Sequence, residues 1–300
     1  MSSPSLLIIG SVAIDNIRTP KGAATDQLGG SATFAALAAK HWSSPLILSA
    51  IGADFPAALL QRLQNAGLDL SRLTRDAGKS FRWEGVYNED LGTRETIGID
   101  LGVMESAKLM VPDLSTIRFA MMATYAPARE LEAIERLPKD TFIATDTIAV
   151  YINIPELRKS LDALVKRSAL VCFDETELKD FAQTKDEAQA VKAIFAKGPR
   201  FVIAKYGKRG SRLYSHDGQT AAWGIFDNVP KDTTGAGDTF LGTIMAHLAA
   251  VGKADFKTIL EGMKLGTAAA SITTEAFGVE DLIKSTKAEI ERRASGVSAS

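Results

Sequence analysis

Asp232-Thr233-Thr234-Gly235-Ala236-Gly237-Asp238-Thr239-Phe240 runs directly into an apolar series, Leu241, Ile244, Met245 and Leu248, spaced for one face of a helix. The stretch reads as a glycine-rich turn feeding a helix amino terminus. Such a terminus presents unpaired backbone N–H groups and about half a positive charge from the helix dipole, so it attracts phosphate or a developing oxyanion. Asp238 stands in the first turn, beside that anion site. Its carboxylate would repel a phosphate, but it can take the proton of an attacking hydroxyl while the amides hold the group in transit. An anion cradle with an adjacent base is the minimal apparatus for phosphoryl transfer, which is mostly positioning and charge stabilisation. Without that chemistry, the same aspartate is an ordinary helix-start residue behind a flexible turn.

Three hundred residues are long for one core and suit a large α/β domain with a smaller appendage. The 35 Lys and Arg nearly balance the 36 Asp and Glu, and no basic tract exceeds a few residues, so no nucleic-acid footprint is expected. Cys172 is the only cysteine and lies in an apolar run, so it is expected to be a buried thiol in a reducing compartment. Residues 1–5 lack a basic leader region, and the apolar run 6–9 is too short for a signal peptide or a membrane span. These features predict a soluble cytoplasmic protein without membrane contact.

Short apolar runs at 6–9, 46–49, 117–122, 142–145, 169–173 and 201–204 alternate with helical spacing at 32–41, 57–66, 128–137, 155–166 and 185–196. That alternation predicts an α/β fold, a mostly parallel doubly wound sheet covered on both faces. Two stretches break the rhythm. Residues 14–27 are polar and irregular, and 81–103 read as strands around the turn Asn88-Glu89-Asp90-Leu91-Gly92. Together, about 12–28 and 81–103 are expected to form a small β lid on a single domain spanning 1–300. The polar tail 293–300 is expected to fray. Asp15, Asp146 and Asp174 fall at or just after strand ends. Such aspartates are common turn formers, yet ligands of open α/β sheets bind at that carboxyl edge.

The string from Asp232 to Phe240 closely resembles the carboxyl-terminal signature of the ribokinase-like (PfkB) carbohydrate and nucleoside kinases. The resemblance implies that Asp238 is the catalytic base, that Gly235, Ala236 and Gly237 form the anion hole, and that Thr234 lies by the nucleotide. Further matches follow in family order. Gly29-Gly30-Ser31-Ala32-Thr33-Phe34-Ala35 resembles the amino-terminal double-glycine signature and implies sugar contacts for Gly29 and Gly30, with Asp15 holding sugar hydroxyls. On the residues alone, this is equally a loop-to-helix junction. Many relatives carry asparagine at the position of Phe34, and ribokinase carries lysine at that of Ser31.

Asp174-Glu175-Thr176-Glu177 resembles the family's N-x-x-E motif, which implies that Glu177 helps hold Mg2+, through water, beside Asp174 and the triphosphate. The competing reading is an acidic helix start. Lys205-Tyr206-Gly207-Lys208-Arg209-Gly210-Ser211 resembles the loop bordering the nucleotide, which implies nucleotide contacts for Lys205, Gly207 and Gly210; it also reads as a basic hairpin turn. Residues 268–278 resemble the segment flanking adenine. In the lid, Phe81, Trp83 and Tyr87 make an aromatic stripe suited to packing, and family lids also serve as dimer contacts. Arg94 can reach a hydroxyl-rich substrate or stay solvated. Tyr125 aligns with a position where ribokinase binds substrate through glutamate.

Two other motifs fail. Gly78-Lys79-Ser80 ends like a P-loop, but Leu73 replaces the required first glycine, and Phe240 replaces the third glycine of a dinucleotide fingerprint. His41, His216 and His247 show no zinc spacing. The expectation is therefore an ATP- and Mg2+-dependent sugar kinase, with a monovalent cation as a further cofactor the family allows. The partners expected are a small sugar or nucleoside and a second copy through the lid. A nucleoside kinase, with Phe34 and Tyr125 stacking on a base, is the alternative enzyme, and a catalytically silent nucleotide-binding protein the alternative class.

Overall fold

The computed structural model describes residues 5–299. The reading of 1–5 as lacking a leader falls largely outside them, as does Ser300. Among the described residues the strands are β1 (Leu6–Gly10), β2 (Ala13–Thr19), β3 (Gly22–Gly29), β4 (Leu46–Gly52), β5 (Leu73–Asp76), β6 (Arg82–Tyr87) and β7 (Arg94–Asp100), followed by β8 (Phe119–Ala123), β9 (Phe142–Asp146), β10 (Leu170–Asp174), β11 (Phe201–Lys205), β12 (Ser211–Ser215) and β13 (Thr220–Trp223). Nine of them make one sheet in the order β13-β12-β11-β10-β9-β8-β1-β4-β5. The run from β11 to β5 is parallel, and β12 and β13 add an antiparallel edge. Strand order reverses between β1 and β8, which opens a crevice at their carboxyl ends.

Both faces of this sheet are covered, so its central strands read as near-continuous apolar runs rather than as alternation, with Asp146, Asp174 and Lys205 only at their carboxyl ends. Successive side chains still point to opposite faces. Leu6 and Ile8 pack with Phe34 and Leu37 of the helix Ser31–Ala39 and with Leu241, Ile244 and Met245 of the helix Ala236–Val251. Leu7 and Ile9 pack on the other side with Ile134, Leu137 and Leu164. Burying one such side chain contributes roughly 1.5–3 kcal/mol. Cys172 is buried on the first face, where burial pushes its thiol pKa up.

The two stretches expected to form a lid make a separate sheet in the order β3-β2-β6-β7, called the lid for its place. It is stitched from two excursions of the chain by the parallel pairing of β2 with β6, Ile14 opposite Arg82 and Asp15 opposite Trp83. The segment expected to be irregular at 14–27 is a hairpin of β2 and β3, with a register shift between Asp15 and Ile17. Its outer face is open to solvent, so polar residues fill it and hide the strand period. Ile17, Tyr87 and Leu91 form a small core with Trp83 and Phe277. At the root of the lid, Ser80 is buried and donates from N–H and Oγ to Asp54 Oδ1 at 2.7 and 2.6 Å. Gly52 N–H donates to Ser80 Oγ at 3.1 Å. The residues that imitate a P-loop thus tie the base of the small sheet to the end of β4.

The tail does not fray as expected. The helix Lys287–Ser295 extends into it, Arg293 pairs with Glu275 at 2.8 Å and Glu289 at 2.7 Å, and Gly224 N–H donates to Ser298 O at 2.9 Å. Edge pairing with β13, through a bridge between Trp223 and Ala299, holds what composition alone would release.

Candidate active site

Gly235 caps the helix Ala236–Val251 in the left-handed region, φ 74°, and no side chain caps it. A side-chain carbon at Gly235 would lie 2.3 Å from the ring of Phe34, so glycine is needed both for the turn and for the space. Neither the Gly235 nor the Gly237 N–H meets a partner among the described residues. A helix start left open in this way is a ready anion site. The loop is shaped from outside. Buried Asp232 accepts from Thr234 N–H at 2.8 Å and Gly278 N–H at 3.2 Å. Tyr87 and Thr234 hydroxyls lie 2.9 Å apart, and Thr233 Oγ1 donates to Leu91 O at 3.1 Å, so the lid touches the rim of the cradle.

Asp238 is half-buried in the first turn. Burial and the negative charge of Asp146 push its pKa up to about 7, against the opposing charges of Lys205 and Arg94. Asp15 is buried against Gly29, where a side-chain carbon would come 1.9 Å from Asp15 Oδ2. Burial first, then Asp232 and Asp238, raise its pKa to about 8, while Gly30 N–H and Arg94 act the other way. Gly30, at φ 94°, brings its backbone against Ser11 O and leaves no room for a larger residue. Ser31 and Ser11 exchange N–H to Oγ bonds at 3.0 Å, and Ser31 Oγ donates to Ala123 O. Ser31 is therefore a tie between β1, β8 and the helix. Arg94, exposed at the start of β7, has its guanidinium 5.6 Å from the Trp83 ring centroid, and its charge reaches Asp15, Asp232 and Asp238.

Two expectations need correction. Tyr125 does not line the crevice: it is fully buried, with Ile134 and Leu164 among its neighbours. Thr124, at φ 52°, turns the chain so that the tyrosine faces inward. Its N–H donates to buried Glu130 at 3.0 Å, and its carbonyl accepts from the Tyr151 hydroxyl. Phe34 is likewise buried, beneath Gly235, and offers no face to a base. Sequence reading also passed over Asp232 and left Asp146 a mere strand-end residue; Asp146 is buried and lies 2.9 Å from Lys205 Nζ.

On the other side of the crevice, Asp174 and Glu177 form a reciprocal cap. Glu177 N–H donates to Asp174 Oδ1 at 2.7 Å, and Asp174 N–H donates to Glu177 Oε2 at 2.9 Å. That oxygen also accepts from Thr147 Oγ1 at 2.9 Å. Burial raises the Glu177 pKa to about 7, although Lys205 works against it. The acidic helix start is thus present as read, and the carboxylate is fixed where a hydrated ion could meet it. No three His, Cys, Asp or Glu side chains among the described residues form a ready-made metal cage. That donor set fits Mg2+, which keeps several waters and takes one or two carboxylates plus substrate phosphates. Lys205 ends β11, and Gly207 and Gly210, at φ 57° and 86°, turn the chain into β12.

Fold and site together define an α/β protein with a second, small sheet, in which an uncapped helix start stands beside the half-buried carboxyl group of Asp238. Residues 3–286 match the family described as pfkB family carbohydrate kinase, and the chain belongs to that family of phosphotransferases. A cytidine kinase of Thermococcus kodakarensis is 26% identical over 248 residues, covering 80% of this chain and 87% of that protein. The fold matches a Burkholderia thailandensis nucleoside kinase solved with inosine, at TM-score 0.79 and 19% identity over 97% of this chain and 98% of that one. It also matches a Vibrio cholerae O395 fructokinase solved with fructose, ADP and calcium ion, at TM-score 0.80 and 19% identity over 98% and 100% of the two chains. No helix among the described residues is long and apolar enough to cross a membrane.

Proposed function

We propose that the chain transfers the terminal phosphoryl group of ATP to a hydroxyl of a free sugar. The observation that carries this reading is the uncapped helix start at Gly235–Gly237 with Asp238 in its first turn. Asp15 and the backbone of Gly29 and Gly30 would hold sugar hydroxyls, with Arg94 closing over them from the lid. As the acceptor oxygen bonds to phosphorus and the bond to ADP breaks, the hydroxyl proton passes to Asp238, and the Gly235 and Gly237 amides hold the charge that develops. Asp174, Thr234, Lys205, Gly207 and Gly210 would border the nucleotide. When bound, Mg2+ would neutralise phosphate charge, with Glu177 holding one of its waters. A monovalent cation is a further family option; a Vibrio cholerae fructokinase double mutant was solved with fructose, ADP and potassium ion.

A nucleoside acceptor is the second reading, favoured by the match to the cytidine kinase across most of the chain. The base stacking once expected from Phe34 and Tyr125 no longer supports it, since both rings are buried. A coupled ATP-consumption screen over pentoses, hexoses, keto-sugar acids, inositols and nucleosides decides between them. With the acceptor so found, Asp238→Asn should lower kcat by about 10²–10⁴ while leaving ATP binding intact. Near-normal turnover in that variant would remove Asp238 as the base.

A further inference from the structure

The ion pair of Asp146 and Lys205 is buried, conspicuously so for charged groups. Side-chain exposures are 5% and 21%. The pair forms because β9 and β11 flank β10, so their carboxyl ends stand two strand spacings apart, about 9–10 Å. The lysine stem spans that gap and delivers Nζ to 2.9 Å from Asp146 Oδ1. The same oxygen accepts Thr147 N–H at 3.0 Å, so the carboxylate is held while it holds the lysine. A carbon placed at the side-chain position of Gly237 would lie 3.4 Å from Lys205 Nζ and 3.9 Å from Asp146 Oδ2. The ammonium therefore rests against bare backbone in the cradle, beside an amide that has no partner. It carries three donors, and Asp146 supplies its only oxygen acceptor among the described residues. A buried ion pair is weak evidence of a stabilising role, because apolar residues of similar volume often do as well. Its position is better matched to a ligand.

We propose that Lys205 contacts the terminal phosphoryl group of the nucleotide, opposite the Gly237 amide, and that Asp146 is the residue that positions it. This rests on the kinase reading above and narrows it. Lys205 belongs to the third phosphate, the one that only a triphosphate has, rather than to the ribose or the phosphates shared with ADP. Asp146 touches no substrate and acts through the lysine.

The test is calorimetric titration of ADP and of a non-hydrolysable ATP analogue, each with Mg2+, into the wild type, Lys205→Met, Asp146→Asn and the double variant. Lys205→Met is expected to bind ADP as the wild type does and the triphosphate analogue at least about tenfold more weakly. Its kcat should fall by about 10²–10³, the scale for loss of one donor to a developing anion. Asp146→Asn should show a smaller loss of the same kind, and the double variant should be no worse than Lys205→Met, since the aspartate acts through the lysine. The double variant leaves no uncompensated buried charge, so it should fold even if a single variant does not. Equal losses for both nucleotides, unchanged triphosphate affinity in the double variant, or additive effects would each overturn the assignment. A wild type that binds neither nucleotide would sink the kinase reading and this assignment together; normal binding by the wild type and by Lys205→Met alike would sink this assignment alone.

Discussion

A carboxyl group that must accept a proton near neutrality has to lose its own first, and the surroundings of Asp238 determine where that happens. Burial and the charge of Asp146 place its pKa at about 7. In the proposed role the active form is the deprotonated one, so kcat/KM should rise about tenfold per pH unit below 7 and level off above it. A profile of kcat/KM between about pH 5 and 9 checks this, and an acid limb well below pH 6 would mean that the base is some other group. Asp238 and Gly235 were legible in the sequence because what they need is local: a left-handed glycine and a first-turn carboxylate lie within four residues. The pairing of Asp146 with Lys205 was not, because it exists only once β9 and β11 flank a third strand. Tyr125 and Phe34 were misplaced for a related reason. Chemical type shows in a sequence, but the side of the backbone that faces the crevice depends on φ values such as that of Thr124.

Among the elements, the strands of the main sheet were read closely, since apolar runs covered on both faces leave an unbroken signal. The hairpin of β2 and β3 was read as irregular because its solvent face carries polar residues and only Ile14, Ile17 and Leu28 mark the inner one. The helix Ala236–Val251 owes its start to the junction with the helix Ser31–Ala39, where Phe34 fills the space below Gly235. Gly235→Ala must then both strain a left-handed turn, at about 1–2 kcal/mol, and displace the Phe34 ring. The expected outcome is a melting temperature lower by several degrees and a loss of nucleotide binding greater than the stability loss explains. An alanine variant with normal stability and normal nucleotide affinity would show that the cradle does not depend on this contact.

At the scale of the whole molecule, β7 is one of the two edge strands of the small sheet and leaves Ile97 and Ile99 at 45% and 58% exposure. A homodimer through the lid, proposed from family resemblance, would cover them. Sedimentation velocity should then show a dimer that Ile99→Glu converts to monomer; a monomeric wild type would end the idea. The small sheet has a second property that follows from its core. Its own cluster is Ile17, Tyr87 and Leu91 with Trp83 and Phe277, whereas β1 and β8 are buried at every position. A segment with few buried apolar contacts opens at a low free energy. The small sheet should therefore be the first part of the chain to come apart, as one cooperative unit. In native-state hydrogen exchange, amides of β2 and β6 should share a single opening free energy, below that of β1 and β8. Separate openings for β2 and β6, or protection equal to that of the central strands, would show that the small sheet does not open as one weak unit. If they do open together, this protein can free the rim at Thr233 and Thr234 by partial unfolding, with the main sheet left intact.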